Sequence, residues 1–135
     1  ILHKPFLIKP NLHELCELIG KSAETENDVI EACKQLHETT GIEILCTRGE
    51  QGAVLAGKDG VFTVSAAKVS AIFPAGAGDC FLAGYLSAYF QKETPGECLI
   101  RAVQTASGKL ESHDGFPRRL EREKYRSQIV CTKIS

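Results

Sequence analysis

Two rhythms of apolar spacing divide this chain. Phe6, Leu7 and Ile8 form a short run that stops at Pro10, after which Leu12, Leu15, Cys16, Leu18 and Ile19 recur at helical spacing until Gly20. The pattern predicts a strand feeding a helix. Thr25 and Asp28 open a second helix, about three to four turns long, striped by Val29, Ile30, Cys33 and Leu36. Ile42, Ile44, Leu45 and Cys46 make an almost continuous apolar run that ends at Thr47-Arg48-Gly49, the pattern of a buried strand in a parallel sheet. Residues 53–56 and 61–64 flank the turn-forming Gly57-Lys58-Asp59-Gly60 and should pair as an antiparallel hairpin. A short strand is expected around residues 68–72, then a turn of small residues, then a helix over residues 79–90. Thr94-Pro95-Gly96-Glu97 reads as a capping box with proline at the first helical position. It opens a helix that carries Cys98, Leu99, Ala102, Val103 and Ala106. A last, mostly polar helix is expected over residues 119–127.

Strands alternating with helices predict an α/β layered domain, with helices covering a largely parallel sheet that also holds the antiparallel hairpin. Ligands of such sheets gather at the carboxyl ends of strands. Polar residues near Asn11, Thr47 and Pro74 are therefore expected to converge on one crevice. The 135 residues suffice for a single domain with a real core. The chain has no Met and opens on Ile1-Leu2-His3-Lys4, already close to a core strand, so it reads as part of a longer protein.

Composition narrows the class without naming a function. Apolar residues at 43% and charged residues at 24% argue against disorder and against a fibrous chain. A formal net charge of −1 gives no electrostatic ground for a nucleic-acid partner. The basic cluster Arg118, Arg119, Arg122, Lys124 and Arg126 is interleaved with Glu121 and Glu123, the look of a solvated helix face. The six cysteines are widely spaced, contain no C-x-x-C pair and lie mostly in apolar patterns. They read as buried free thiols in a reducing, cytoplasmic protein. No run approaches membrane-spanning length, so no membrane partner is expected. The four histidines, His3, His13, His37 and His113, share no metal spacing.

Chemistry concentrates in Phe73-Pro74-Ala75-Gly76-Ala77-Gly78-Asp79-Cys80-Phe81-Leu82-Ala83-Gly84. Gly76, Ala77 and Gly78 leave backbone N–H groups open to close approach, and the first turn of the following helix adds more. Together they would form an anion hole. Asp79 falls where the positive end of the helix dipole welcomes a negative charge, a suitable place for a base that takes a proton from an attacking hydroxyl. The bland alternative is a tight turn with a helix cap. The Walker phosphate loop is excluded because Asp79-Cys80 stands where Lys-Ser or Lys-Thr would be required, and the dinucleotide fingerprint because Phe81 replaces its third glycine. Cys80 has no neighbour to make it a nucleophile and reads as packing.

Pro74-x-Gly76-Ala77-Gly78-Asp79-x-Phe81-x-Ala83-Gly84 resembles the C-terminal signature of the PfkB-type, ribokinase-like carbohydrate kinases. Lys9-Pro10-Asn11-Leu12-His13-Glu14-Leu15 is similar to the Lys-Pro-Asn-x-x-Glu-Leu of the branch that contains 1-phosphofructokinases and tagatose-6-phosphate kinases. Thr47-Arg48-Gly49-Glu50-Gln51-Gly52-Ala53 resembles the family's Ser/Thr-x-Gly-x-x-Gly-Ala segment. The likeness runs from the first residues to about Gly115.

The resemblance implies an α/β/α ribokinase-like fold and ATP-dependent phosphorylation of a sugar or sugar-phosphate hydroxyl, with a ketohexose phosphate as acceptor. It implies Asp79 as the base and Gly76, Ala77 and Gly78 as the anion hole. Asn11 and Glu14 would organise Mg2+, water and phosphate, while Thr47, Gly49 and Gly52 would lie along the triphosphate. Ala106, Ser107, Ser112 and Gly115 align loosely with the segment beside the adenine. Structural readings stand beside these: Asn11 as a plain helix cap, Thr47 as a strand-end hydroxyl, Arg48 and His13 as surface residues.

Ala75 and Phe73 depart from the residues usual in this branch without removing a catalytic atom. Members of the family are about twice this length. The resemblance therefore implies that this chain is the C-terminal half, lacking the sugar-binding residues and the small lid, and inactive alone. A sheet edge left open in that way is where a homodimer would form. The alternatives are a non-catalytic nucleotide-binding fragment or pseudokinase, and a ribokinase-like kinase acting on a nucleoside or vitamin.

Overall fold

Asp28 shows how local chemistry starts a helix here. Its backbone N–H donates to Thr25 Oγ1 at 3.1 Å, and its carboxylate accepts the Thr25 and Glu24 N–H groups at 2.9 and 3.0 Å. The reciprocal pair is a capping box. Those backbone donors hold the Asp28 carboxyl below the usual carboxylate range, Thr25 foremost.

A computed structural model describes residues 3–69, 75–111 and 123–135. The elements are β1 (Leu7–Ile8), α1 (Leu12–Ile19), α2 (Glu26–Thr40), β2 (Glu43–Thr47), β3 (Ala53–Gly57), β4 (Gly60–Val64), α3 (Ala77–Phe90), α4 (Pro95–Glu111) and β5 (Cys131–Lys133). Single 3₁₀ turns occupy Gly49–Gln51 and Arg126–Gln128. The strands follow one another across a five-stranded sheet in the order β1-β2-β3-β4-β5. β1 and β2 are parallel, and β2 and β3 antiparallel with Leu45 opposite Leu55. The sheet is mixed, as expected from the antiparallel hairpin. Among the described residues no helix is long and apolar enough to cross a membrane.

The chain falls into two compact units, residues 1–63 with 133–135, and residues 64–132. In the first unit α1 and α2 cover one face of the strands. Leu15, Val29, Cys33, Ile44, Cys46 and Val54 are all buried there, each large aliphatic side chain contributing about 1.5–3 kcal/mol. Leu45 and Leu55 on the opposite face are buried as well, which is why β2 reads as a continuous apolar run. The Cys33 thiol is held protonated by its hydrogen bond with Cys46 and by burial. All six cysteines are free.

In the second unit α3 and α4 form a close helical pair. Gly84 sets their spacing: a Cβ there would lie 2.6 Å from Thr105 Oγ1 and 2.8 Å from the Arg101 carbonyl oxygen. Thr105 Oγ1 in turn donates to that carbonyl at 2.8 Å, so its position is tied to the α4 backbone. The segment after residue 122 clips both ends of α4. Arg126 grips the Glu97 carboxylate with two bonds, of 2.7 and 3.1 Å, while the Tyr125 hydroxyl donates to Glu111 Oε1 and Lys124 stands 3.5 Å from the same oxygen.

Three local expectations change. Thr94 accepts the Glu97 N–H at 3.2 Å, but the Glu97 carboxylate turns to Arg126 instead of back to the cap. Only half the capping box forms, because a bidentate guanidinium outbids one backbone N–H for a carboxylate. Lys68 and Val69 are not in a strand, and residues 70–72 lie outside the described residues. Of the expected helix over residues 119–127, residues 119–122 also lie outside them, Glu123 is helical as expected, and Arg126–Gln128 forms a 3₁₀ turn instead.

Gly84→Ala should destabilise the fold by about 1–3 kcal/mol, because backbone as well as side chain must move; equilibrium denaturation measures it. The Arg126 fork holds the Glu97 carboxyl below its ordinary range. A depressed carboxyl stabilises above its unfolded pKa and loses that contribution as pH falls through the folded one. Glu97→Gln should therefore lower stability near neutrality by up to about 1 kcal/mol, the gap from the parent protein closing in acid.

Candidate functional site

Asn11 ends the β1 segment and begins α1. Its Oδ1 accepts the Glu14 N–H at 2.8 Å and Glu14 Oε1 accepts the Asn11 N–H at 3.0 Å, a complete capping box. Asn11 also forms a parallel bridge to Thr47, whose N–H donates to the Pro10 carbonyl at 3.0 Å. The carboxyl ends of β1 and β2 thus bring Asn11, Glu14 and Thr47 together. Glu14 lines an open groove with Ile8, Lys9, Pro10, Glu17 and Leu18. His13 is exposed and pairs with Glu17 at 3.1 Å.

The loop after Thr47 is closed on itself. The Arg48 N–H donates to the Gly52 carbonyl at 2.8 Å, and the Gly52 N–H returns to the Gly49 carbonyl at 3.2 Å. Gly49 stays exposed with open space around its Cα, so a ligand can approach its backbone. Arg48 differs from the surface residue expected of it. It is half-buried, with one Nη bonded to Gln51 Oε1 at 3.0 Å and a buried Nε that has no hydrogen-bond partner. Gln51, on the same closed loop, holds the guanidinium in place.

The second unit contains the small-residue turn. Gly76 has φ +84° and ψ 2° and stands at the N-cap of α3, without a side chain to cap it. Only glycine takes this left-handed conformation without strain. Its carbonyl accepts the Cys80 N–H at 3.0 Å. That leaves the N–H groups of the first helical turn directed outward, where no intrahelical carbonyl can meet them. Gly78 and Asp79 are exposed beside them, while Cys80 is buried. Burial raises the Cys80 thiol pKa, the Lys109 charge opposes that rise and the Asp79 charge adds to it. Cys80 is therefore packing rather than a nucleophile.

Ser107 is buried within α4. Ser112, Gly115 and Pro74 lie outside the described residues. Lys109, which the motifs do not single out, stands against the turn: a Cβ on Gly76 would lie 3.7 Å from Lys109 Cε. Its only signal in the sequence is a lone basic residue near the end of a largely buried helix. Among the described residues no group of three or more His, Cys, Asp or Glu could hold a metal ion.

The fold is shared with ribokinase-like enzymes. The solved Arabidopsis thaliana ribokinase complexed with ribose and ATP superposes with a TM-score of 0.78 at 25% identity, covering 89% of this chain and 40% of that one. The chain belongs to the pfkB family: the model for pfkB family carbohydrate kinases matches residues 1–116. It is 34% identical over 102 residues to the 1-phosphofructokinase of Haloferax volcanii, covering 76% of this chain and 33% of that protein. It is 33% identical over 104 residues to the D-tagatose-1-phosphate kinase of Klebsiella oxytoca, covering 77% and 34%. The chain thus spans about a third of the length of these relatives.

Asn11→Ala should lower stability by about 1 kcal/mol through loss of the cap, whereas Asn11→Asp, which keeps an acceptor for the Glu14 N–H, should retain most of it. Urea denaturation followed by circular dichroism compares the two.

Proposed function

We propose that this chain carries the nucleotide-binding and catalytic half of an ATP-dependent kinase that phosphorylates a hydroxyl of a sugar phosphate, with a ketohexose phosphate as acceptor. One observation carries the proposal: in a chain of the pfkB family, an exposed Asp79 sits in the first turn of α3, directly behind a left-handed Gly76 at an uncapped helix start. The relatives' names supply the acceptor class, and the ribokinase complex supplies ATP.

In this reaction Asp79 takes the proton of the acceptor hydroxyl as its oxygen attacks the terminal phosphorus. The bond from that phosphorus to the bridging oxygen breaks, and its electron pair leaves with ADP. N–H groups of the Gly76–Gly78 turn meet the charge on the transferred group. Thr47 and the open backbone at Gly49 lie along the triphosphate, the buried Gly52 closing the loop behind them, and Ser107 and Ser112 are assigned to the segment beside the adenine.

The donor set in the first unit suits Mg2+. Glu14 Oε1 is engaged by the cap, which leaves Oε2, and one carboxylate oxygen with water and substrate phosphates is a usual arrangement for this ion. When bound it would supply neutralisation of phosphate charge, with Glu14 and Asn11 fixing its place. The acceptor-selecting residues are assigned to the portion of the relatives that these 135 residues do not match.

Asp79→Asn in the full-length protein should reduce kcat by about a hundredfold to ten-thousandfold while ATP still binds. Steady-state assay with a panel of ketohexose phosphates, nucleosides and vitamins tests both base and acceptor. Turnover by the variant near that of the parent would refute the base.

A further inference from the structure

We infer that Lys109 is a phosphate-contacting residue of the nucleotide site, where it holds the terminal phosphates of ATP against the Gly76–Gly78 turn. This rests on the proposed kinase reaction and adds to it a residue that none of the motifs contains.

The placement follows from packing. Gly84 lets α4 approach α3 until Thr105 and Arg101 touch it. Lys109 stands one helical turn beyond Thr105, and its stem lies alongside Gly76. The contact at Gly84 thus delivers a cation to the turn. Lys109 is only partly exposed. Among the described residues no carboxylate pairs with it: the ion pairs of this region join Lys124 to Glu111 and Arg126 to Glu97.

Two like potentials meet at this place. The start of α3 carries the positive end of the helix dipole and its outward N–H groups, and a side-chain cation beside it is unfavourable unless an anion lies between them. Asp79 is the nearest charge of opposite sign on α3, and Asp79 and Lys109 both bear on the intervening Cys80 with opposite effects. They do not form an ion pair. Asp79 remains available for the acceptor hydroxyl and Lys109 for phosphate. An ammonium on a flexible stem suits this task, since it binds phosphate as a point charge and can follow the group as it transfers.

The test uses the full-length protein in three forms besides the parent: Lys109→Met, which keeps the stem against Gly76 and deletes the charge, Lys109→Arg, and Asp79→Asn. Calorimetry measures Kd for ATP, ADP and adenosine. Lys109→Met should weaken ATP and ADP by about tenfold to a hundredfold, the loss expected of one charged hydrogen bond, leave adenosine unchanged, and flatten the salt dependence of ATP binding. Lys109→Arg should recover most of the affinity. ATP binding by Lys109→Met equal to that of the parent would overturn the assignment, and so would an equal loss for adenosine, which would mark Lys109 as packing. The Asp79→Asn arm keeps the two proposals apart. Slow turnover in that variant beside parental ATP binding in Lys109→Met leaves the base standing and removes Lys109. Parental turnover in Asp79→Asn beside weakened ATP binding in Lys109→Met does the reverse.

Discussion

The approach of α3 to α4 at Gly84 is the contact on which the second unit depends. With hydrogen in place of a methyl group, the α4 backbone at Arg101 and the Thr105 hydroxyl come within 2.8 and 2.6 Å of where a Cβ would stand. Nothing in that contact is chemical in the catalytic sense. Yet it decides which α4 residues face the glycine turn, and so makes Lys109 a neighbour of Gly76. A methyl group at Gly84 would push α4 away and move the cation with it. Glu97 and Glu111, gripped by Arg126 and Tyr125, hold the two ends of the same helix. Three sets of interactions thus secure α4 along its length.

The first unit solves a different problem, because the residues proposed to organise Mg2+ are also the ones that cap α1. Asn11 Oδ1 and Glu14 Oε1 are both committed to the cap of α1. A cap holds the Glu14 carboxylate in a fixed direction, and one oxygen remains for other work. The bridge from Asn11 to Thr47 then joins two strand ends that are more than thirty positions apart in the sequence. Positioning of this kind is what phosphoryl transfer asks of a protein, since the reaction needs aligned groups more than covalent help.

Arg48 and Glu97 show where neighbours in space overrule neighbours in sequence. Arg48 follows a strand end beside three polar or small residues and reads as solvated; the closed loop from Arg48 to Gly52 draws it inward and buries its Nε. Glu97 has the spacing of a capping residue, yet it bonds to Arg126, a residue twenty-nine positions away. For Glu97 the competing partner is fixed by folding of a distant segment, whereas Arg48 is held by Gln51 within its own loop. Lys109 belongs with them, since nothing within four residues of it marks it out.

Local signals determined a great deal. The capping pairs at Asn11 and Thr25, the hairpin turn at Gly57–Gly60 and the apolar stripes of α1 and α2 act over a few residues. Their physical causes, an unpaired N–H, a turn conformation or a helical period, are therefore written out along the chain. Asp79 behind Gly76 is legible for the same reason, because a helix start and the acid in its first turn are adjacent in sequence. Tertiary structure alone decided that Asn11 meets Thr47, that Glu97 belongs to Arg126 and that a lysine stands beside the glycine turn. Each of these depends on the distance between two elements, and that distance is set by the side chains, or the missing Cβ, at the surface where they pack.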